Sequence, residues 1–202
     1  FSQGVTYFHA GIDTLRSKSM DRNSYNSGDW FNRLDWSYQD NFFGAGLPPQ
    51  GDNGDNWFLI GPRLVNPLIK PGFNEIAWTR DVFRDLLKIR ASTTLLRLRT
   101  ADDIQSRLRF LNTGSGQEPT VLAAHLNGLG YAGAGFRELA YFVNVGKEAK
   151  TLTVDALRGK AFVLHPAHLA GADRRPANDA SYVPATGAFT IPPRTAVVYV
   201  VN

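Results

Sequence analysis

Cysteine is absent from the 202-residue sequence. That excludes structural disulfides and thiolate metal sites, but it leaves the compartment open, because a secreted protein need not carry disulfides. An extracellular or periplasmic location is compatible with this composition and is not fixed by it. Runs of lysine and arginine are also missing. The 22 basic and 18 acidic residues are interspersed, giving a net charge of +4, too diffuse to indicate a nucleic-acid partner. No apolar stretch approaches the roughly 20 residues needed to cross a membrane, so no membrane partner is expected. The N-terminal FSQGVTYFHAG has neither the charged start nor the apolar middle of a signal peptide and does not begin with Met. The sequence reads as a portion of something longer. No G-x-S-x-G elbow, phosphate loop or dinucleotide fingerprint occurs.

What is present is an ordinary apolar content of 43% with 20% charged residues, in a length suited to one large domain or two small ones. The most distinctive stretch is LRSKSMDRNSYNSGDWFNRLDW, residues 15–36. Arg16, Lys18, Arg22 and Arg33 stand there among Asp21, Asp29 and Asp35 and the rings of Tyr25, Trp30, Phe31 and Trp36. Rings that stack, interleaved with planar groups that bind hydroxyls in pairs, suit a ligand with many hydroxyls and apolar ring faces. A long surface loop held by its own polar contacts would have the same composition.

Upstream, Val5–Ala10 (VTYFHA) is β-branched and aromatic between two glycines, which predicts a short strand buried on both faces. His9 at its end is read as a hydrogen-bonded structural residue in preference to a catalyst. Residues 11–73 show no sustained periodicity and are rich in Gly, Pro, Asn and Asp, as long functional loops are. Within them, Asp52, Asn53, Gly54, Asp55 and Asn56 lack the distal Glu of a calcium loop and read as an Asx-rich turn.

The spacing predicts a helix over Asn74–Arg90, with Asn74 as cap, Glu75 at its positive end, Lys88 and Arg90 at its negative end, and an apolar face of Ile76, Val82, Phe83, Leu86 and Leu87. After Ser92, short alternating segments at 107–112, 120–127, 139–145, 150–154, 161–166, 187–192 and 195–201 are punctuated about every ten residues, the pattern of an antiparallel sandwich. His165 and His168 have a spacing that could suggest zinc. Pro166 between them is expected to break any helix that would align the two rings.

QGVTYFHAG (3–11), residues 15–36, RLRFLNTG (107–114), LHPAHLAGAD (164–173) and FTIPPRTAVVYV (189–200) together resemble the type I pullulanases and plant limit dextrinases. These are the α-1,6 debranching enzymes of glycoside hydrolase family 13. The resemblance implies a C-terminal fragment of an α/β barrel, the last βα unit of a (β/α)8 barrel, followed by an all-β antiparallel sandwich. Residues 1–91 would end the barrel, as strand 8, a substrate loop and helix 8, and residues 92–202 would be the sandwich.

Barrel active sites lie at the C-terminal ends of the strands, which would place residues 15–36 at the substrate cleft. The family's retaining chemistry uses an Asp nucleophile, a Glu acid/base and a further stabilising Asp. All three would precede this chain, so the resemblance implies no catalytic residue here. It implies that Asp29 and Arg33 bind glucosyl units, with Arg16, Asn26 and Trp30 beside them. It implies no cofactor in these residues, and the calcium that a full enzyme can carry is assigned to none of them. The partners would be a branched α-glucan and the preceding part of the same enzyme. One departure is that the family often has Glu two positions after the HAG glycine, where this chain has the shorter Asp13. A free-standing α-glucan-binding sandwich, or a structural one, is the competing reading.

Overall fold

In a computed structural model, which describes residues 1–202, strands occur only after residue 107 and helices on both sides of that point. The elements are α1 (Asp29–Asn32), α2 (Gln50–Asn53), α3 (Trp57–Leu64), α4 (Phe73–Ala91), α5 (Ala101–Arg107), β1 (Leu108–Phe110), β2 (Val121–Asn127), β3 (Glu138–Asn144), β4 (Lys150–Thr153), β5 (Val163–Leu164), α6 (Pro166–Leu169), α7 (Arg175–Asp179), β6 (Ser181–Val183), β7 (Ala188–Ile191) and β8 (Thr195–Val201). The chain divides into two compact units, Tyr7–Phe83 and Arg84–Asn202 with Phe1–Thr6. The division falls inside α4, whereas the sequence reading put a boundary after residue 91. No helix is long and apolar enough to cross a membrane.

The second unit contains two antiparallel sheets, one ordered β1-β2-β3-β8-β5 and the other β4-β7-β6. Its central strands read as nearly continuous apolar runs because both of their faces are covered. Leu139 and Tyr141 of β3 pack on one side with Val198, Val200, Leu126 and Ile89. Ala140 and Phe142 pack on the other with Val197, Tyr199, Phe189 and Ile191. Ala123 lies opposite Phe142 and Phe142 opposite Val197, so a small residue leaves room for the ring. The Phe142 and Phe189 rings, one from each sheet, meet with centroids 4.6 Å apart.

Buried Asn144 closes the same end of the stack. Its Nδ2 donates to the carbonyls of Glu148, Ile191 and Pro192, and its Oδ1 accepts from Gly146 N–H. Four hydrogen bonds satisfy that amide, so its burial carries little penalty.

Four sequence expectations need correction. Val5–Ala10 forms no strand: Val5, Tyr7 and Phe8 are 83%, 90% and 52% exposed, and every strand in both sheets comes from elsewhere in the chain. A strand is held by its ladder partners, and this segment has none here. His9 is exposed and its ring makes no hydrogen bond, so it is not the structural residue expected. Asp52–Asn56 is no isolated turn. It runs from α2 through a 3-10 turn at Gly54–Asn56 into α3.

Pro166, finally, starts a helix rather than breaking one. It occupies the first turn of α6, where its missing N–H is no loss, and His165 is the cap. His165 Nδ1 accepts the Ala167 N–H at 3.1 Å, so its Nε2 donates to Ser92 Oγ at 3.0 Å, while His168 Nε2 accepts the Val198 N–H at 3.0 Å. Both rings are buried and committed to hydrogen bonds.

The long helix extends one residue beyond each predicted end. Its cap is not Asn74: Glu75 reaches back to accept Gly72 N–H at 2.8 Å. Ile76 is buried as expected, but Leu87 is exposed, and Ile89 is buried in its place.

Candidate functional site

Residues 11–45 turn back on themselves repeatedly, and their order comes from polar groups. Asn41 Nδ2 donates to Leu15 C=O and its Oδ1 accepts Phe43 N–H; Ser19 Oγ donates to Phe42 C=O and accepts Ala45 N–H. Asn53 supports the same loop from α2, accepting Arg22 N–H and donating to Asp21 and to Pro49 C=O. All three side chains are buried.

Asp35 accepts from Ser37 Oγ and from the N–H groups of Ser37, Gln39 and Asp40, and these bonds hold its carboxyl down at about 2. Burial would raise Asp21, but hydrogen bonds from Ser27, Asn53 and Asn23 outweigh it and hold its carboxyl below the usual range. Five non-glycine residues take left-handed backbone here: Leu15, Ser19, Met20, Tyr38 and Phe42. Such conformations cost energy and persist only where the surroundings over-determine them. Gly11 takes φ 89°, where any side chain is strained, and a Cβ there would also lie 2.8 Å from Arg16 Cβ.

The five residues proposed from the sequence fall into two groups. Arg16 points inward, donating to Asn32 C=O at 2.6 Å and to Ala10 C=O at 3.3 Å, so it braces the loop. Asn32 makes a second brace, donating to the carbonyls of Ser24 and Gly28. Asp29, Asn26 and Trp30 are exposed, and neither the Asp29 carboxylate nor the Asn26 amide has a partner within the chain.

Asp29 opens α1, and Arg33 leaves its end in extended backbone. The two side chains form no ion pair. Arg33 Cζ lies instead 4.1 Å from the Trp30 ring centroid and 3.8 Å from that of Phe42. Trp30 Nε1 is fixed to Ala45 C=O at 2.7 Å.

Phe42 was not anticipated from the sequence. It lies outside the 15–36 block and reaches Arg33 through a left-handed turn that no periodicity signals. A separate hollow of about 420 Å³ in the same unit is lined by Met20, Arg22, Asn53, Asn56, Leu59, Ile60 and Arg63, none of them among the five. No cluster of three or more His, Asp or Glu side chains is placed to hold a metal ion.

Residues 38–202 match the family of alpha-1,6-glucosidases, pullulanase-type, C-terminal. The chain is 42% identical over 207 aligned residues to the chloroplastic pullulanase 1 of Arabidopsis thaliana, covering 98% of itself and 21% of that protein. It is 35% identical to a pullulanase of Klebsiella pneumoniae, covering 74% of itself and 14% of that protein. Among solved structures, PulA of Klebsiella oxytoca superposes with a TM-score of 0.81 at 31% identity, over 95% of this chain and 18% of that one. A maltotriose complex of PulA from Klebsiella pneumoniae gives the same score and identity over 20% of its chain. The chain thus spans about a fifth or less of the relatives' length, and by these matches it belongs to the C-terminal family of the pullulanase-type alpha-1,6-glucosidases.

Proposed function

We propose that this chain works as the C-terminal part of a pullulanase-type enzyme that cleaves α-1,6-glucosidic branch linkages in pullulan, amylopectin or limit dextrins. Residues 4–10 serve there as the eighth barrel strand, 11–73 as its loop and 74–91 as the eighth helix, with 92–202 as the closing sandwich. The nucleophile, the acid/base and the stabilising Asp come from the preceding part of the enzyme, which is also the chain's partner. The bare Val5, Tyr7 and Phe8 side chains support this reading, because such a segment becomes a stable strand only when neighbours supply ladder bonds and cover its faces.

The observation that carries the substrate role is the separation of Asp29 from Arg33. A carboxylate without a partner and a guanidinium that makes no hydrogen bond, although its charge reaches the Asp40 carboxylate, stand on one ordered loop and are left to accept from and donate to sugar hydroxyls. Maltotriose in the Klebsiella PulA complex is consistent with a short α-glucan as ligand.

Two measurements test the proposal. The purified 202-residue chain is expected to release no reducing sugar from pullulan, since it lacks all three catalytic carboxylates; release at the rate of an intact debranching enzyme would overturn it. In an intact enzyme carrying this segment, Asp29→Ala and Arg33→Ala should each lower kcat/KM by roughly ten- to a hundred-fold, with little change in melting temperature. The double variant should lose less than the sum if both grip one glucosyl unit. Unchanged kinetics would refute the sugar-binding role.

A further inference from the structure

We propose that Phe42 is a positioning residue for Arg33, clamping its guanidinium against Trp30 so that only the edge of the group can meet a sugar. This rests on the sugar-binding reading of Arg33 given above. Trp30 and Phe42 both approach within about the contact distance of a cation–π pair and make no ring contact with each other, which sets them on different sides of Cζ. Nε of Arg33 is buried without a partner, and no group of the chain accepts a hydrogen bond from the guanidinium.

Both rings of the clamp are fixed from behind. Trp30 is held through Nε1 to Ala45 C=O. Phe42 sits at φ 60°, a conformation a phenylalanine does not choose. Its N–H donates to Asp40 Oδ1 at 2.8 Å and its carbonyl accepts from Ser19 Oγ at 2.9 Å. Asp40 is in turn paired with Lys70 at 2.9 Å. Ala45 N–H also donates to Ser19 Oγ, so the turn from Phe42 to Ala45 holds both rings.

Function follows from the geometry. With two rings already packed against it, Arg33 has no room to stack on a pyranose ring as well. It can recognise only two oxygens lying in its own plane, the arrangement that vicinal hydroxyls of a glucosyl unit present. The clamp also removes the rotamer freedom that an arginine otherwise loses on binding, so recognition starts pre-organised.

The test uses an intact enzyme carrying this segment, with side-chain NMR of arginine Nε–H groups and maltotriose as the probe. Unaltered, Arg33 should give an ordered Nε–H signal displaced by the ring currents of both aromatics. Phe42→Leu should release it, lowering order and displacement together, and should weaken maltotriose about ten-fold. Phe42→Tyr should restore the signal and bring affinity to within about two-fold. An Arg33 signal as ordered and as displaced in Phe42→Leu as in the unaltered chain would overturn the proposal, as would unchanged affinity alongside a loss in Arg33→Ala. A released signal in Phe42→Leu, with maltotriose leaving Arg33 unperturbed in the unaltered chain, would retire the sugar-binding reading and leave the clamp standing.

Discussion

Between Tyr7 and Phe83 four buried side chains are polar, Thr14, Ser19, Asn41 and Asn53, against three apolar ones, Pro48, Ile60 and Ile76. From Arg84 onward the proportion reverses, and rings and branched aliphatics such as Phe142, Phe189, Leu126, Leu139 and Val198 fill the interior. The two kinds of interior do different work. Apolar burial is non-directional and contributes about 1.5–3 kcal/mol for each large side chain. A hydrogen bond nets only about 1 kcal/mol but fixes direction and angle. The loop unit is therefore specified in geometry and modest in stability, and the sheet unit is the reverse. That division suits the role proposed for the loop, holding Asp29 and Arg33, with Trp30 and Phe42 against it, in one arrangement.

The largest test of this contrast is Phe189→Ala. The ring is fully buried and meets Phe142, Tyr182, Phe162 and Tyr199. Its removal should cost the sheet unit about 3–5 kcal/mol. All four tryptophans, at positions 30, 36, 57 and 78, lie in the loop unit, so their emission reports that unit, while the strand signal in circular dichroism reports the other. In urea the strand transition should move to much lower denaturant and the tryptophan transition should stay. Equal shifts of both would mean that the two interiors melt as one and would break the comparison.

A somewhat smaller effect is expected from acid. His168 is buried beside His165, and burial first, then the neighbouring imidazole, hold its pKa down to about 4 against an ordinary 6.5, while Asp173 and Asp85 oppose. Burial lowers His165 as well. A pKa lowered in the fold means that the unfolded chain takes up the proton first. The stabilisation is therefore complete above about pH 6.5 and is lost as pH falls toward 4. For His168 the loss is on the order of 3 kcal/mol. The same protonation would remove the lone pair that accepts Val198 N–H. The urea midpoint of the strand signal should fall across that window, and His168→Gln, which keeps an acceptor without titrating, should flatten the slope. A slope unchanged in His168→Gln would place the acid sensitivity elsewhere.

How much of this the sequence discloses follows the same line. Strands at 121–127, 138–144 and 195–201 lie within a residue or so of the segments marked out by apolar pattern and spacing. Periodicity records burial, and these strands are buried. The three-residue β6, the short helices α1–α3 and the capping role of His165 leave no periodic trace. In the loop, Asp29, Trp30 and Arg33 are conspicuous as residue types, but their arrangement is not. Arg16 is conspicuous as a ligand group, but nothing in the sequence shows that it also braces the loop, because its target carbonyls at Ala10 and Asn32 come together only through the glycine turn at Gly11. Phe42 is invisible for a related reason: a left-handed phenylalanine is a property of the assembled loop.

The smallest expected effect on stability comes from Asn53→Ala. It removes one acceptor and one two-way donor that join Arg22, Asp21 and Pro49 at a site only 2% exposed. Groups deprived of a buried partner cost about 1–3 kcal/mol, and the exposed backbone at Arg22 can turn to water, so the lower end is expected. Tryptophan emission should shift and limited proteolysis should cut sooner within residues 15–60, while the strand signal is unaltered. Asn53→Asp is the sharper variant. It keeps the acceptor for Arg22 N–H but sets a carboxylate where Nδ2 now lies 2.9 Å from Asp21 Oδ1. Two carboxylates that close cannot both ionise without penalty. At neutral pH this variant should therefore be looser than Asn53→Ala, and acid should tighten it again as the pair takes up one proton. That recovery on acidification runs opposite to the loss expected of the sheet unit over falling pH. If Asn53→Asp loosens the loop no more than Asn53→Ala at neutral pH, the polar interior is not what holds these residues in place.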